Sequence, residues 1–174
     1  MSDTVNNVAS GTWIAALRPI DIDEVVSLNG KTGKVNAVGI MATELLTPDN
    51  VLITIPNSQV WGTAIENFTR MPTRRADVAV GIGYGSSVDK AVGVAMELMK
   101  AHPLVLDDPE PAVVITALAD SSVNFVVRVW SKTSDYWDVY WDVTRAIKME
   151  FDKEGISIPY PQQDVHMHQV PAAE

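Results

Sequence analysis

Residues 136–151 read YWDVYWDVTRAIKMEF, in which an aromatic pair, an aspartate and a valine occur twice in succession. Large apolar side chains recur along this stretch at the three- or four-residue spacing of one helix face: Tyr140, Val143, Ile147 and Phe151. Gly155 follows, and glycine commonly ends a helix. The stretch therefore predicts a helix over 136–154 that packs on a sheet and leaves Trp137 and Trp141 for a second contact surface.

The segments on either side of this helix indicate which kind of sheet it covers. They predict a strand at 76–82, a helix at 88–101, strands at 112–118 and 124–130, the helix over 136–154, and a short strand near 164–168. The order βαββαβ is the ferredoxin-like arrangement, in which the helices cover one face of the sheet. The sequence therefore predicts an α+β fold for the second half of the chain.

The first part of the chain has short strands separated by turn residues. Asn29-Gly30 is a strong signal for a two-residue hairpin turn. Further on, Val51, Ile53 and Ile55 alternate with their neighbours as in a half-buried strand. Several short strands at close spacing predict a small β-barrel or sandwich.

Residues 4–17, TVNNVASGTWIAAL, predict a short helix rich in small residues, which Pro19 ends. Isolated helices of this length are marginally stable in water. The expected apolar face is thin: Val5, Val8, Ala9, Ile14 and Ala16. We therefore expect this helix to pack against something outside the chain.

The composition excludes several classes of protein. The chain has 174 residues, of which 47% are hydrophobic, so a packed core is expected and disorder is not. A net charge of −9 disfavours a general surface for nucleic acid or anionic membrane. The absence of cysteine excludes disulfides, thiolate catalysis and cysteine metal sites. No apolar run approaches the roughly 18 to 20 residues of a membrane span, so the chain as given is expected to be soluble.

Three short motifs suggest binding but favour a simpler interpretation. GIGYGSS at 81–87 lacks the third glycine of a dinucleotide fingerprint and the GK[ST] of a phosphate loop, so a tight strand-to-helix turn is expected. TRMPTRR at 69–75 holds three arginines without interleaved aromatics, which favours a linker over a nucleic-acid contact. DDPE at 107–110 lacks the spaced oxygen ligands of a calcium loop and is expected to be solvated.

The three histidines do not form a recognisable catalytic site. His102 has no evident serine–acid partnership. His166 and His168 would share one strand face with Asp164, where two imidazoles could hold a metal, but the chain offers few further ligands there. No catalytic, cofactor-binding or metal-binding residue is therefore predicted, and we expect neither an enzyme nor a cofactor.

The C-terminal part carries a family resemblance. VYWDVTRAIKMEFDKEGISIPYPQQDV, residues 139–165, resembles the end of the cytoplasmic region of bacterial mechanosensitive channels of small conductance, the MscS family. Six further landmarks agree in order with that family: LRPI (17–20), TPDN (47–50), ITIPNS (53–58), NFTR (67–70), GIGY (81–84) and SSVNFVVRVWS (121–131). The resemblance therefore covers nearly the whole chain.

The resemblance implies a homoheptamer in which each subunit has membrane helices, a small Sm-like β domain and an α/β domain. Seven such regions form a hollow vestibule with side portals, closed below by a parallel β-barrel of C-terminal strands. Bilayer tension opens the pore of such channels, and ions and small osmolytes leave during hypo-osmotic shock. The full-length protein is accordingly expected in the inner (plasma) membrane, with this region on the cytoplasmic side and no nucleic-acid partner.

Four segments are expected on this basis. Residues 1–19 resemble the lower part of the pore-lining helix, residues 20–68 the Sm-like β domain, residues 69–161 the ferredoxin-like domain, and residues 162–174 a C-terminal barrel strand and tail. The family's upstream membrane helices are missing from the sequence. We therefore expect a truncated chain that lacks the tension sensor.

The resemblance also implies roles for individual residues. Asn7 lies where the family has a helix asparagine that contacts the β domain, and the matching β-domain turn is at Asn50, so these two residues are expected to couple the helix to the domain. Small residues are expected to let neighbouring pore helices approach closely: Ala9, Gly11 and Ala16. Five residues are expected in the intersubunit barrel: Asp164, Val165, His166, Met167 and His168. In a ring, the two histidines would form a pH-sensitive belt.

The predicted function is that of the vestibule region of a tension-gated channel that releases ions and small osmolytes. A charge of −9 repeated seven times would bias the local ion population. Two alternatives remain. One is a soluble Sm-like RNA-binding module or other ring-forming interaction module, supported only by TRMPTRR. The other is an enzyme that binds a nucleotide at the glycine-rich turn.

Overall fold

The structure, a computed structural model, describes residues 2–168. The chain forms two compact units, Met1–Arg74 and Arg75–Glu174. Each unit encloses a hydrophobic core of its own.

The described part of the first unit contains a long helix, five strands and a short second helix. In chain order these are α1 (Ser2–Leu17), β1 (Val25–Leu28), β2 (Lys31–Val38), β3 (Ala42–Leu46), β4 (Leu52–Pro56), α2 (Asn57–Trp61) and β5 (Ile65–Asn67). The strands form one antiparallel sheet in the order β4-β3-β2-β1-β5. Asn29 and Gly30 join β1 to β2 with φ values of 48° and 72°, so the predicted hairpin turn is confirmed.

Alternating side chains of this sheet form the first core. Its fully or nearly fully buried members include Val26, Leu28, Val35, Leu45 and Ile55. In β4 the predicted alternation holds for Ile53 and Ile55, whereas Val51 lies before the strand and is exposed. Ile14 of α1 belongs to the same core and is only 1% exposed. The expectation that α1 would depend on contacts outside the chain is therefore wrong for this face of the helix.

The second unit contains three strands and two long helices among its described residues. These are β6 (Thr73–Ile82), α3 (Val88–Ala101), β7 (Ala112–Leu118), β8 (Val123–Lys132) and α4 (Tyr136–Lys153), with a 3₁₀ turn at Thr133–Asp135 before α4. The sheet order is β6-β8-β7, and β7 pairs antiparallel with β8. Because β6 already begins at Thr73, the predicted linker over 69–75 is shorter than expected.

The buried face of α4 consists of apolar residues spaced by four: Val139, Val143, Ile147 and Phe151. The predicted stripe began at Tyr140, which is only half-buried. The error is small because a four-residue step turns a helix by little more than one full turn, so the stripe drifts slowly around it. Trp137 and Trp141 are more than half exposed, and their rings stack 5.5 Å apart.

The predicted α+β class is confirmed, but the last strand is not. Residues 164–168 have no strand in the structure, and residues 169–174 lie outside the described part. The segment after Gly155 is attached to the unit through Ser157, which accepts from the Gly83 amide at 2.8 Å and donates its own amide to Ser86 Oγ at 3.0 Å. A strand needs a partner for its backbone groups, and none of the described strands pairs with residues 164–168. The described elements are thus βαββα.

Phe151 allows a direct test of this core. Its side chain is fully buried and lies 6.2 Å from the Phe125 ring, so Phe151→Ala is expected to lower the free energy of unfolding by about 3–5 kcal/mol. Met149 on the same helix is half exposed, and Met149→Ala should change it by less than about 0.5 kcal/mol. Urea denaturation measures both. Similar losses for the two variants would contradict the assigned helix face.

Candidate coupling site between the first helix and the β domain

One side of α1 lies against α2 and the β2–β3 turn of the first unit. Asn7, Gly11 and Ile14 are spaced by four and three residues, so they share one face of the helix. Gly11 and Ile14 are buried and Asn7 is half-buried. The three residues make three different kinds of contact: a hydrogen bond, a close backbone approach and an apolar insertion.

Asn7 binds the beginning of α2. Its Oδ1 accepts a hydrogen bond from the backbone amide of Ser58 at 2.9 Å. The first amides of a helix have no acceptor within their own helix. Pro56, at the N-cap of α2, gives no side-chain cap. Asn7 therefore supplies, from another helix, the cap that α2 lacks.

Gly11 brings the backbone of α1 onto the β2–β3 turn. A Cβ atom at this position would lie 2.3 Å from the carbonyl oxygen of Ile40 and 2.5 Å from Nδ2 of Asn57. The side chain of Asn57 is fully buried and holds the turn in place, because its Nδ2 donates to Gly39 O at 2.9 Å. Its Oδ1 accepts from the hydroxyl of Thr43 at 2.9 Å. Only glycine fits between this fixed turn and the helix.

The predicted contact between Asn7 and Asn50 is not formed within this chain. Asn50 lies in the exposed turn between β3 and β4, where its φ is 67° and its amide bonds to Thr47 O at 2.9 Å. In the same turn, hydrogen bonds from the Thr47 hydroxyl and from the backbone amide of Asp49 hold the pKa of the Asp49 carboxyl below its ordinary value. Asn7 binds Ser58 instead, because α2, a helix not predicted from the sequence, offers an uncapped amide there.

The other side of α1 is exposed within this chain. Ala9 and Ala16, predicted to pack against neighbouring helices, lie on that side. Gly11, predicted for the same role, is instead buried against its own β domain. Gly11 does allow a close approach to the backbone of α1, but the partner is the β domain of the same chain and not a neighbouring helix.

The glycine-rich turn and the two C-terminal histidines lie in the second unit. The GIGYGSS turn ends at Ser87, whose side chain caps α3 by accepting from the Lys90 amide. His166 and His168 are exposed. Within residues 2–168, no group of three or more histidine, cysteine, aspartate or glutamate side chains could hold a metal ion.

The basic cluster of the sequence is engaged by neighbouring side chains. The guanidinium of Arg74 lies 5.2 Å from the centre of the Phe68 ring. Arg75 donates two hydrogen bonds to the Asp77 carboxylate, at 2.6 and 3.0 Å, and these bonds raise the pKa of Arg75. Arg70, the third arginine, bonds the Glu24 carboxylate, so all three have aromatic or acidic partners in the chain and none forms an open basic surface.

Two family models match the two units separately. The β-domain of the mechanosensitive ion channel matches residues 3–70, and the C-terminal part of the mechanosensitive ion channel MscS matches residues 76–158. This chain belongs to the MscS family. The resemblance seen in the sequence is therefore confirmed. It is a family of ion channels and not a class of enzymes.

Relatives with curated names agree with this membership. The small-conductance mechanosensitive channel of Edwardsiella ictaluri is 38% identical over 169 residues, which are 97% of this chain and 59% of that protein. The small-conductance mechanosensitive channel MscMJ of Methanocaldococcus jannaschii is 33% identical, over 96% of this chain and 49% of that protein. The chain thus spans about half to three fifths of the length of these relatives.

A solved structure gives the same fold. Helicobacter pylori MscS in its closed state matches with a TM-score of 0.91 and 26% identity, over 97% of this chain and 67% of that one. Arabidopsis thaliana MSL1 matches with a TM-score of 0.77 at 18% identity, which shows the fold alone. Across residues 2–168, none of the helices has both the length and the apolar character needed to cross a membrane.

The close approach at Gly11 yields a prediction with a matched control. Gly11→Ala places a methyl group against backbone atoms and should lower the free energy of unfolding by about 1–3 kcal/mol. Gly93→Ala, in the exposed middle of α3, meets no atom within 4 Å and should raise it by about 0.5–1 kcal/mol. Chemical denaturation measures both. A neutral Gly11→Ala variant would contradict the packing of α1 on the turn.

Proposed function

We propose that this chain forms the cytoplasmic vestibule region of a small-conductance mechanosensitive channel, with α1 as the lower part of the pore-lining helix. In the full-length channel, bilayer tension opens the pore to ions and small osmolytes. The observation that carries the proposal is the two-sided character of α1. One face is fixed to the β domain, and the opposite face presents large apolar side chains to the surroundings.

The exposed face of α1 calls for a partner. Val5, Trp13 and Leu17 are 66%, 53% and 61% exposed and do not share the face of α1 that binds its own domain. Contiguous exposed apolar side chains mark interaction surfaces. Ala9 and Ala16 lie among them, and their small side chains allow another helix to approach closely. Copies of α1 around a common axis would cover this face.

The edges of the five-stranded sheet support the same assembly. β4 and β5 are the outer strands, so each has one side without a strand partner among the described residues. Free edges tend to pair with strands of other chains. Pairing β4 of one copy with β5 of the next is a head-to-tail contact, and such contacts close into rings. The number seven comes from the resemblance.

The oligomer can be tested on the 174-residue chain. Native mass spectrometry and light scattering are expected to give a mass seven times 19.0 kDa. Leu52→Lys, on the exposed edge strand β4, should shift the distribution to smaller species, because a charge would be buried between copies. Leu104→Lys, at an exposed loop position of the second unit, is the matched control and should leave the mass unchanged. A monomeric mass at every concentration tested would contradict the proposed ring.

Channel activity is tested in a chimera. We expect that this chain can replace the matching part of the Edwardsiella ictaluri channel, which is 38% identical to it. Patch-clamp recording should then show tension-activated currents, and cells carrying the chimera should survive a hypo-osmotic shock that kills cells without channels. A chimera that reaches the membrane as a ring but stays closed at every tension would contradict the proposed function.

A further inference from the structure

The guanidinium of Arg70 binds the segment that follows α1. Its Nη1 donates to the carbonyl oxygen of Arg18 at 2.8 Å. Its Nε and Nη2 donate to the two carboxylate oxygens of Glu24 at 2.9 and 2.8 Å, and Nη2 also lies 3.3 Å from Asp21 Oδ2. One side chain thus bonds three residues that lie 46 to 52 positions earlier in the chain.

Arg18 directly follows Leu17, the last residue of α1. Its φ is 49°, and its amide bonds to Ile14 O at 2.8 Å, as in a left-handed helix end. The last carbonyls of a helix have no donor within the helix and carry the negative end of its dipole. The cation of Arg70 donates to the next carbonyl along the chain, that of Arg18, close to this negative end. Arg18 also pairs its own side chain with Asp21 at 2.8 Å, which keeps the segment after α1 compact.

Residues 67–70 are fixed to the sheet as well as to Glu24. Asn67 Oδ1 accepts from the amides of Thr69 and Arg70 at 3.1 and 3.0 Å, while its Nδ2 donates to Glu24 Oε2 at 2.7 Å. The hydroxyl of Thr69 accepts from the Val25 amide at 2.9 Å. The end of β5 is therefore tied to the beginning of β1. It is tied at the same time to the end of α1, three residues before β6 begins at Thr73.

The charges of this cluster support its ionised form. Burial raises the pKa of Glu24, but hydrogen bonds from Arg70, the Asp21 amide and Asn67 outweigh it and hold that pKa below the ordinary 4.5. The same bonds to Glu24 raise the pKa of Arg70. A guanidinium satisfies a carboxylate with two parallel bonds and still has donors left for the Arg18 carbonyl. The single ammonium group of lysine does not reproduce this geometry.

We propose that Arg70 is a positioning residue that couples the end of α1 to the exit from the β domain. A displacement of α1 moves the Arg18 carbonyl and, through the guanidinium, residues 67–70. This inference rests on the proposed function, in which movement of α1 accompanies gating. It adds the contacts through which movement of α1 reaches residues 67–70, shortly before β6 begins.

A double-mutant cycle tests the coupling in the 174-residue chain. Gly11→Ala loosens α1 at its middle, and the protection of the Thr69 and Arg70 amides against hydrogen exchange should fall about tenfold. Arg70→Gln should lower the protection of residues 15–18 by a similar factor. With both substitutions, the Thr69 amide should exchange no faster than in Arg70→Gln alone. Protection factors are expressed relative to Leu45 in the buried centre of β3, so that global destabilisation cancels.

Additive effects, or unchanged exchange at Thr69 in Gly11→Ala, would overturn the coupling. Should Gly11→Ala fail to fold, Asn7→Ala removes the bond to Ser58 and gives the milder perturbation. Arg75→Gln is the matched control. It removes a comparable two-bond pair with Asp77 and should leave residues 15–18 as protected as in the unchanged chain.

The pH profile separates coupling from a merely structural role. Because the folded pKa of Glu24 lies below its unfolded value, its contribution is fully present above about pH 4.5 and is lost as pH falls through the folded pKa. Protection of residues 15–18 should therefore fall on acidification below 4.5. In Glu24→Gln and in Arg70→Lys it should be low at every pH. A profile in Glu24→Gln like that of the unchanged chain would assign the effect to Asp21.

These measurements do not depend on channel activity. A chimera without tension response, together with a non-additive exchange cycle, would reject the proposed function and keep the coupling between α1 and residues 67–70. An active chimera with additive exchange effects would keep the proposed function and reject the coupling between α1 and residues 67–70. The two failures are therefore distinguishable.

Discussion

The contact of Gly11 with the β2–β3 turn is the constraint on which the position of α1 depends. A backbone carbonyl and a buried amide lie where a side chain would otherwise be, so the helix backbone lies directly against this turn. Asn57 keeps that turn rigid through bonds to Gly39 and Thr43. The position of α1 therefore requires both Gly11 in the helix and the buried Asn57 in the domain. Ile14, one turn later, adds apolar burial to this fixed geometry.

The inner face of α1 holds an asparagine, a glycine and one buried isoleucine, whereas its outer face presents several large apolar side chains, which is unlike a surface helix in an isolated domain. A surface helix normally turns its apolar stripe to the core and its polar side to solvent. Here directional bonds and close backbone contact hold the helix to its own domain. The larger side chains Val5, Trp13 and Leu17 stay outside. The different residue types on the two faces of α1 are explained if the helix has two partners, one within the chain and one in another copy.

Much of the fold followed from sequence pattern, and the exceptions have physical causes. The helix at 88–101 and the strand at 112–118 have the predicted bounds, because regular periodicity and clear turn residues frame them. α2 has five residues, too few for a periodic pattern, and Pro56-Asn57 before it resembles a turn. The strand at 164–168 was predicted as the last element of a βαββαβ order, and the described residues hold no strand there.

The candidate site was harder to predict, because hydrophobicity does not mark the inner face of α1. The expected apolar face was Val5, Val8, Ala9, Ile14 and Ala16, and of these Ile14 enters the core whereas Val5, Ala9 and Ala16 are exposed. The other two residues of the inner face, Asn7 and Gly11, are a polar residue and a glycine. Only the resemblance drew attention to Asn7, and it suggested the turn at Asn50 and not the amide of Ser58. An unsatisfied helix amide becomes visible only after the helix itself is known.

The different nature of the two faces of α1 determines where movement is easiest. On the inner face, a hydrogen bond to Ser58 and contact with the Ile40 carbonyl specify one position, and a shift of about 1 Å breaks them. On the outer face, apolar side chains can exchange one packing for another of similar energy, since hydrophobic contact is non-directional. In the proposed ring, rearrangement should therefore occur between copies. Each α1 should move together with its own β domain, and the bond of Arg70 to the Arg18 carbonyl extends the moving body to residues 67–70 of the first unit.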